Sequence, residues 1–252
     1  MRKIVFITGA TSGFGKACAE KFASHGYDLI INGRREEKLL LVKEELEKRF
    51  NTAILISSFD VRNRDEVFAA VKNLPEDWQH IDLLINNAGL ALGRDYFDEA
   101  NMDDWDIMID TNLKGLLYVT KALLPYLKKS QSPHIINLGS VAGKEVYEKG
   151  NVYCASKAAV DTVSQSMRID MLRLGIKVTA VHPGAAETEF SIVRFKGDTE
   201  TANKIYDGLK ALSAEDVADV VYYTTTLPAH VCINDLVLSC TQQANSVFFN
   251  RK

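Results

Sequence analysis

The stretch Lys3–Lys16, KIVFITGATSGFGK, indicates how the chain begins to fold. Its apolar, β-branched run Ile4–Ile7 predicts a buried strand, and that run breaks directly into a turn containing Gly9, Gly13 and Gly15. A glycine-rich turn between a strand and a helix N-terminus presents backbone N–H groups and the positive end of the helix dipole to a phosphate. The spacing G-x-x-x-G-x-G differs from the dinucleotide fingerprint G-x-G-x-x-G, so the glycines alone are weak evidence for a phosphate site. Their position directly after the first predicted strand makes that evidence stronger.

Predicted strands and helices alternate along the rest of the chain. The further apolar, β-rich runs are YDLIING, TAILISSFDV, IDLLINNAG, HIINLGS, IKVTAVHPG and DLVLSC. Amphipathic stretches separate them, among them a long helix predicted over residues 102–129 and a helix that Ser213 is predicted to cap. This order predicts an α/β fold: a Rossmann-type doubly wound sheet of about seven mainly parallel strands with helices on both faces.

The predicted fold also suggests where a ligand binds. No repeat or Pro/Gly-rich linker divides the sequence, so we predict a single domain over residues 1–252. Residues 185–212 fit the alternation of strands and helices worst. Because ligands of such sheets bind at the carboxyl ends of the strands, we expect this stretch to form a substrate loop above that crevice.

The composition limits the classes of partner. The 252 residues are 46% hydrophobic and 25% charged, with a formal net charge of -3. These values are ordinary for a globular protein, and the mild acidity gives no reason to expect nucleic acid or an anionic membrane surface as a partner. No apolar segment approaches the length that spans a bilayer. A small-molecule substrate is therefore the expected partner.

The cysteines and histidines are dispersed. Cys18, Cys154, Cys232 and Cys240 form no CxxC motif, and no histidine lies near a second metal-ligand residue in sequence. Reduced, mostly buried thiols are typical of a cytoplasmic protein, so we predict that location and assign no metal.

Two arginines follow the predicted second strand. In this fold an acidic residue at that position binds the ribose 2′-OH of NAD, whereas here the sequence has Arg34 and Arg35. Guanidinium groups suit a 2′-phosphate, and cations are otherwise disfavoured at the start of a helix. The sequence therefore predicts NADP over NAD, and the alternative is a solvated basic helix start.

Tyr153 and Lys157 are four residues apart in a stretch that is predicted to be helical, NVYCASKAAV. A tyrosine needs a nearby cation to act as a base at neutral pH, and residues at i and i+4 share one helix face. Every helix has such pairs, so the spacing alone leaves open whether this one is a reaction centre.

Several separated motifs together resemble the short-chain dehydrogenase/reductase family. They are TGATSGFG, NNAG before Leu90, Asn112 in DTNLKG, Ser140 after HIINLG, YCASK and HPG, and they span essentially the whole chain. The stretches NNAGLALG and VRFKGD are similar to the NADP-dependent 3-hydroxy acid dehydrogenases within that family, which act on serine, L-allo-threonine and related acids.

The resemblance implies roles for individual residues. Tyr153 would be the acid/base, Lys157 its supporting cation, Ser140 the group that holds the substrate oxygen, and Asn112 a support for a proton path. Both Tyr153 and Lys157 would also contact the cofactor. The remaining implied contacts to NADP are Gly9, Thr11, Ser12, Gly13, Phe14, Gly15, Asp60, Val61, Asn87, Ala88, Gly89, Pro183, Gly184 and Thr188. Asn87 and Gly89 of NNAG have an alternative role, which is to stabilise the turn after the fourth predicted strand.

A 3-hydroxy acid also requires a cation for its carboxylate. Arg194 in VRFKGD is the preferred candidate, with Tyr147 near the mouth of the cleft, and the alternative is that Arg194 is a solvated loop cation. Two other functions stay open: reduction of a bulkier carbonyl such as a 3-oxoacyl thioester or a pterin-type ketone, and NADP sensing without turnover. By analogy with the family, a homotetramer is expected.

Overall fold

The predicted strands all belong to one sheet in the computed structural model, which describes residues 2–252. The seven strands are β1 (Ile4–Ile7), β2 (Asp28–Gly33), β3 (Ile54–Ser58), β4 (Leu83–Asn86), β5 (His134–Leu138), β6 (Lys177–Pro183) and β7 (Asp235–Leu238). They are parallel throughout and lie in the order β3-β2-β1-β4-β5-β6-β7. The order reverses between β1 and β4, which opens a crevice at their carboxyl ends. The predicted doubly wound sheet is confirmed.

Helices cover both faces of the sheet. The α-helices are α1 (Gly13–Ser24), α2 (Glu36–Arg49), α3 (Arg64–Lys72), α4 (Met102–Ile109), α5 (Leu116–Leu127), α6 (Asn151–Met171), α7 (Phe190–Arg194), α8 (Thr199–Lys204) and α9 (Ala214–Thr225). Side chains of α3, α5 and α6 form one apolar cluster with the sheet, and those of α1, α2 and α9 form the other. Three short 3-10 turns connect elements, at Glu76–Trp78, Val141–Gly143 and Leu172–Leu174.

The strand side chains alternate between the two apolar clusters. On β1, Phe6 faces the α3, α5 and α6 side, whereas Val5 and Ile7 face the α1, α2 and α9 side. All three are fully buried, as expected for a parallel strand that is covered on both faces. The helices fix the strands from both sides, so the turns that follow the strands are held at defined positions around the crevice.

The long helix predicted over residues 102–129 is interrupted. Asp110–Gly115 forms a π-helical turn between α4 and α5. Within that turn the Asn112 side chain accepts a hydrogen bond from Leu90 N and donates one to Leu90 O, both at 2.8 Å. A π-turn of this kind is frequent at functional sites, and the prediction of one continuous helix did not include it.

Residues 185–212 contain more structure than a plain loop. They include the short helices α7 and α8, and Ala186 pairs with Leu212 at their base. The predicted cap of α9 is confirmed as a capping box, in which Ser213 accepts from Asp216 N and the Asp216 carboxylate accepts from Ser213 N. The four cysteines are free, and three of them are buried. None of the helices described between residues 2 and 252 is both long enough and apolar enough to cross a membrane.

Candidate active site

A cavity of about 440 Å³ lies at the carboxyl ends of the strands. It runs from the turn after β1 and the end of β2 to α6 and the residues that follow β6. The predicted site residues that line it are Gly9, Thr11, Ser12, Gly13, Phe14, Arg34, Arg35, Asp60, Val61, Asn87, Ala88, Gly89, Ser140, Tyr147, Tyr153, Lys157, Pro183, Gly184, Thr188 and Arg194. Gly15 and Asn112 do not line it. The structure thus brings nearly all of the predicted residues to one cavity.

The glycine turn lies close to the turn after β4. Gly9 adopts a φ of 66°, and a Cβ atom there would lie 3.0 Å from the Cα of Ala88. A Cβ atom on Gly15 would lie 2.2 Å from the carbonyl oxygen of Gly9, so only glycine allows α1 to start against the turn. Gly15 therefore shapes the turn, whereas the residues before it face the cavity.

Asn87 stabilises its turn, which is one of the two roles that the sequence left open. Its side chain donates to Thr8 O at 2.9 Å and to Gly9 O at 3.1 Å, while its backbone N–H donates to the Thr8 hydroxyl. These bonds tie the turn after β4 to the turn after β1. The same residue lines the cavity, so it is available to a ligand as well.

One end of the cavity carries unpaired positive charge. Arg34 and Arg35 follow β2 and are exposed, and neither forms an ion pair or a side-chain hydrogen bond with any residue between 2 and 252. The nearby carboxylate of Asp60 is bound by Arg62, with the Asp60 Oδ2 2.6 Å from Arg62 Nη2. Although burial opposes the effect, the Arg62 hydrogen bonds hold the pKa of Asp60 below its ordinary value, and the Arg34 charge adds to this.

The shape and donors of this half of the cavity fit a dinucleotide. The turn lacks Cβ atoms at Gly9 and Gly13, and the first N–H groups of α1 have no partner within the helix. The arginines provide guanidinium groups for a further phosphate beyond the pyrophosphate. The residues present therefore suit NADP, whose additional phosphate is at the adenosine ribose.

The other end of the cavity brings Ser140, Tyr153 and Lys157 together. Ser140 follows β5 and caps the 3-10 turn, with its hydroxyl accepting a hydrogen bond from Ala142 N at 3.1 Å. Lys157 is buried on α6, and its Nζ donates to the carbonyl oxygen of Leu138, the last residue of β5, at 2.9 Å. A Cβ atom on Gly143 would lie 2.6 Å from the Lys157 carbonyl group. Close backbone contact thus fixes α6 against the turn that carries Ser140.

Burial acts on both titratable groups of this centre. It raises the pKa of the Tyr153 phenol, an effect to which the neighbouring Tyr147 adds, whereas the Ser140 hydrogen bond and the Arg194 charge oppose it. Burial also lowers the pKa of Lys157 to about 8. The sequence predicted Lys157 as the cation that favours the ionised tyrosine, and in the structure the charge that acts in this way on the phenol is that of Arg194.

Asn112 lies behind this centre rather than in the cavity wall. Besides its bonds to Leu90, its amide donates to the Ser156 hydroxyl at 2.9 Å. The position that a Cβ atom would occupy on Gly89 is 3.2 Å from Asn112 Oδ1 and 3.3 Å from Lys157 Nζ. The absence of a Cβ atom at Gly89 therefore lets both the amide and the ammonium lie close to its backbone.

Arg194 is not a solvated loop cation, because it is only 8% exposed. Its Nη1 donates to the Tyr147 hydroxyl at 2.9 Å, and its Nε donates to Gly93 O at 3.3 Å. The guanidinium carbon lies 5.5 Å from the centre of the Tyr153 ring. No carboxylate between residues 2 and 252 forms an ion pair with it. Lys196, the other cation of this loop, is instead paired with Asp104 at 2.8 Å.

The sequence pattern did not indicate part of the cavity wall. Phe190, Tyr206, Gln243, Phe249 and Arg251 also line the cavity. The C-terminal stretch after β7 has no apolar periodicity that predicts its position in the cavity wall. One structural clue is Gly184, where a Cβ atom would lie 2.2 Å from Gln243 Oε1.

Known proteins share this architecture and much of the sequence. A family model described as short chain dehydrogenase matches residues 3–198. The chain is 45% identical over 242 residues to the NADP-dependent 3-hydroxy acid dehydrogenase of Escherichia coli (strain K12), with 96% of both proteins covered. It is 47% identical over 251 residues to sulfoacetaldehyde reductase 2 of Chromohalobacter salexigens, with 98% of both covered. The closed form of serine dehydrogenase complexed with NADP+ matches with a TM-score of 0.91 at 44% identity, covering 99% of both chains.

The burial of Lys157 predicts how stability depends on pH. Its pKa is about 8 in the folded protein and near the ordinary 10.5 in the unfolded chain. Between these values the unfolded chain binds more protons, so wild-type stability gains with rising pH relative to Lys157→Met, by up to about 3 kcal/mol. Denaturant titrations of both proteins from about pH 7 to 10 measure this difference.

The exposed Lys128 provides the matched control, since Lys128→Met removes a lysine without removing a buried charge. Its stability difference from wild type is expected to stay constant across the same pH range. A pH-independent difference for Lys157→Met as well would show that the Lys157 ammonium is not penalised by burial.

Proposed function

The chain belongs to the short-chain dehydrogenase family, and we propose that it transfers a hydride between NADP(H) and a short 3-hydroxy acid or the corresponding 3-oxo acid. Serine, L-allo-threonine and the pair of 3-hydroxypropionate and malonic semialdehyde are the substrates that we expect. The enzyme class and the use of NADP follow from relatives that are named as NADP-dependent dehydrogenases and are 45% identical along nearly the whole chain.

The residues of the reaction centre suit proton transfer at the substrate oxygen. When bound, NADP supplies the acceptor for the hydride, and NADPH supplies the donor. We propose that the Tyr153 phenol removes the proton from the hydroxyl during oxidation and returns it during reduction. The Ser140 hydroxyl holds the same oxygen, and the Arg194 charge opposes the effect of burial on the phenol. We propose that the positive charge of Lys157, on the same face of α6, also favours the ionised phenol. Asn112 orients the Leu90 backbone behind them.

The buried guanidinium of Arg194 is the observation that carries the substrate assignment. A buried charge without a counterion is unfavourable, so this position calls for an anionic ligand group. The guanidinium lies 5.5 Å from the Tyr153 ring centre, and this closeness supports a carboxylate site next to the proposed acid/base. Tyr147, which accepts a hydrogen bond from Arg194, orients it. A short 3-hydroxy acid has a carboxylate for the guanidinium and a hydroxyl two carbons away for the phenol.

A second candidate substrate is a sulfonate aldehyde. A relative with 47% identity is named sulfoacetaldehyde reductase 2, and a guanidinium can also donate charged hydrogen bonds to the oxygens of a sulfonate. A bulkier carbonyl, such as a 3-oxoacyl thioester, and a sensor without turnover both remain alternatives to test. The cytoplasmic location, the homotetramer and the single domain over residues 1–252 stay predictions from the sequence.

A substrate panel tests the proposed function. Serine, 3-hydroxypropionate, the hydroxysulfonate formed by reducing sulfoacetaldehyde, and acetoacetyl thioester are assayed with NADP(H) by following absorbance of the reduced nicotinamide. We expect the short acids to be turned over and the thioester to be inert. Tyr153→Phe is expected to abolish turnover while NADPH still binds. Turnover confined to the thioester, or binding of NADPH without any turnover by the wild type, contradicts the proposal.

Arg194→Met is expected to lower kcat/KM for 3-hydroxypropionate by about 10- to 100-fold, because a charged hydrogen bond to the carboxylate is lost. The rate with 1-propanol, which has the same carbon chain and no carboxylate, is expected to change little. Arg94 provides the control: it also lies beside the Tyr147 ring, at 6.0 Å, but is exposed, so Arg94→Met should have a much smaller effect. An unchanged preference for the acid over the alcohol in Arg194→Met excludes Arg194 from the substrate site.

Arg34→Asp is expected to lower the NADP-to-NAD ratio of kcat/KM by about 100-fold or more, since the carboxylate repels a 2′-phosphate and accepts a hydrogen bond from a ribose hydroxyl. Steady-state kinetics with both cofactors measure the ratio. Arg64→Asp introduces the same charge change at an exposed arginine outside the cavity and should leave the ratio unchanged. An unaltered ratio in Arg34→Asp means that Arg34 does not contact the 2′-phosphate.

A further inference from the structure

Four titratable side chains form a cluster beside the cavity that the proposed reaction does not use. Lys144 ends the Ser140 turn, which we define as Ser140–Lys144; Asp161 lies on α6, His182 on β6, and Asp235 at the start of β7. Lys144 Nζ lies 2.8 Å from Asp161 Oδ2 and 2.5 Å from Asp235 Oδ2. His182 is fully buried, with Nε2 2.8 Å from Asp235 Oδ1 and 3.7 Å from Asp161 Oδ1.

This cluster touches the reaction centre at two places. A Cβ atom on Gly139 would lie 2.3 Å from His182 Nδ1, so the histidine ring packs directly against the residue before Ser140. Asp161 follows Lys157 by four residues on α6 and therefore lies one helical turn beyond it. The Ser140 turn is thus held between the buried imidazole and the helix that carries the catalytic tyrosine.

The imidazole has unused hydrogen-bonding capacity. Despite the short distance to Asp235, neither ring nitrogen of His182 has a hydrogen-bond partner of acceptable geometry among residues 2–252, and neither does Asp161 Oδ1. Burial and the Lys144 charge lower the pKa of His182, whereas the charges of Asp235 and Asp161 raise it. When the His182 imidazole is neutral, the Lys144 ammonium is therefore the positive charge that lies between the Asp161 and Asp235 carboxylates.

A metal ion is the other conceivable occupant of this cluster. Asp161, His182 and Asp235 each present a ligand atom, and these atoms lie within 4.8 Å of one another, although no such grouping is visible in the sequence. The Lys144 ammonium contacts both carboxylates and would repel a divalent ion at that distance. The geometry therefore favours an ion network formed by protein groups alone.

We propose that Lys144 is a positioning residue for Ser140, and that His182 takes over the role of the Lys144 charge when the imidazole is protonated. The inference rests on the proposed function of Ser140 in holding the substrate oxygen. Lys144 ties the end of the Ser140 turn to α6 and to β7, and so fixes the serine hydroxyl relative to Tyr153. The protonated imidazole, in contact with both carboxylates, supplies the same bridge from the opposite side.

The proposal predicts a pH-dependent defect in Lys144→Met. Removing the ammonium leaves Asp161 and Asp235 without a cation, so their charges raise the pKa of His182. Above that pKa the carboxylates repel each other and the Ser140 turn shifts. Below it the imidazolium bridges them and the turn returns to its place. The defect is therefore large at high pH and small at low pH.

The test measures kcat/KM for the best acid substrate in wild type and variants from about pH 5.5 to 8.5, a range that spans the ordinary histidine titration. Dividing each variant by the wild type at the same pH cancels the titration of the catalytic groups. Lys144→Met is expected to be about 10- to 100-fold slower at the alkaline end and to recover toward wild type at the acidic end. Lys144→Arg, which keeps the charge, should stay close to wild type throughout.

Lys21→Met is the matched control. It removes a 2.8 Å ion pair with Asp219 that joins α1 to α9 outside the cavity lining, so its ratio to wild type should stay near unity at every pH. The double variant Lys144→Met/His182→Asn should lose the recovery at low pH.

A second readout does not depend on activity. The His182 imidazole, titrated by nuclear magnetic resonance in the protein without ligands, is expected to have a midpoint higher by about one pH unit or more in Lys144→Met than in wild type. An unchanged midpoint overturns the role of His182, and a defect that is absent or independent of pH overturns the role of Lys144. If the wild type turned over no 3-hydroxy acid, the proposed function would fail while the titration still decided whether the two groups are coupled.

Discussion

The contact between the Lys157 ammonium and the Leu138 carbonyl is the interaction on which the site depends. It joins α6, which carries Tyr153, to the end of β5, where Ser140 begins its turn. Because the ammonium is buried, its charge is disfavoured, and burial lowers its pKa to about 8. The fold therefore holds an unfavourable charge at the point where the predicted acid/base needs one, and the apolar clusters on both faces of the sheet must stabilise it.

Glycines allow the elements around the cavity to approach one another closely. At Gly15 a Cβ atom would collide with the Gly9 carbonyl, at Gly143 with the Lys157 backbone, and at Gly139 with the His182 ring. Each of these glycines lies where a turn after a strand meets a helix or a neighbouring strand. Close packing at these glycines, against backbone at Gly15 and Gly143 and against the His182 side chain at Gly139, leaves little freedom for the turns to move independently.

The sequence was sufficient to predict the fold and most of the residues that line the cavity. Strand periodicity and glycine turns are local, so the sheet and the phosphate turn could be predicted from adjacent residues. Contacts between residues far apart in the sequence could not be predicted in this way. The burial of Arg194 involves Gly93 and Tyr147, and the side chain of Asn112 in the π-turn is bound to Leu90. Likewise Lys144, Asp161, His182 and Asp235 meet only because β6 lies between β5 and β7.

The two ends of the cavity use positive charge in different ways. Arg34 and Arg35 are exposed, so water screens their charges and they lower the stability of the fold little. They are suited to discriminating NADP from NAD. Arg194 is buried beside the Tyr153 ring, where desolvation strengthens its attraction for an anion. Its positive charge also opposes the rise that burial causes in the pKa of the phenol. A carboxylate bound there would neutralise part of that charge. We therefore expect substrate binding and the acidity of Tyr153 to be coupled, because both depend on the same guanidinium.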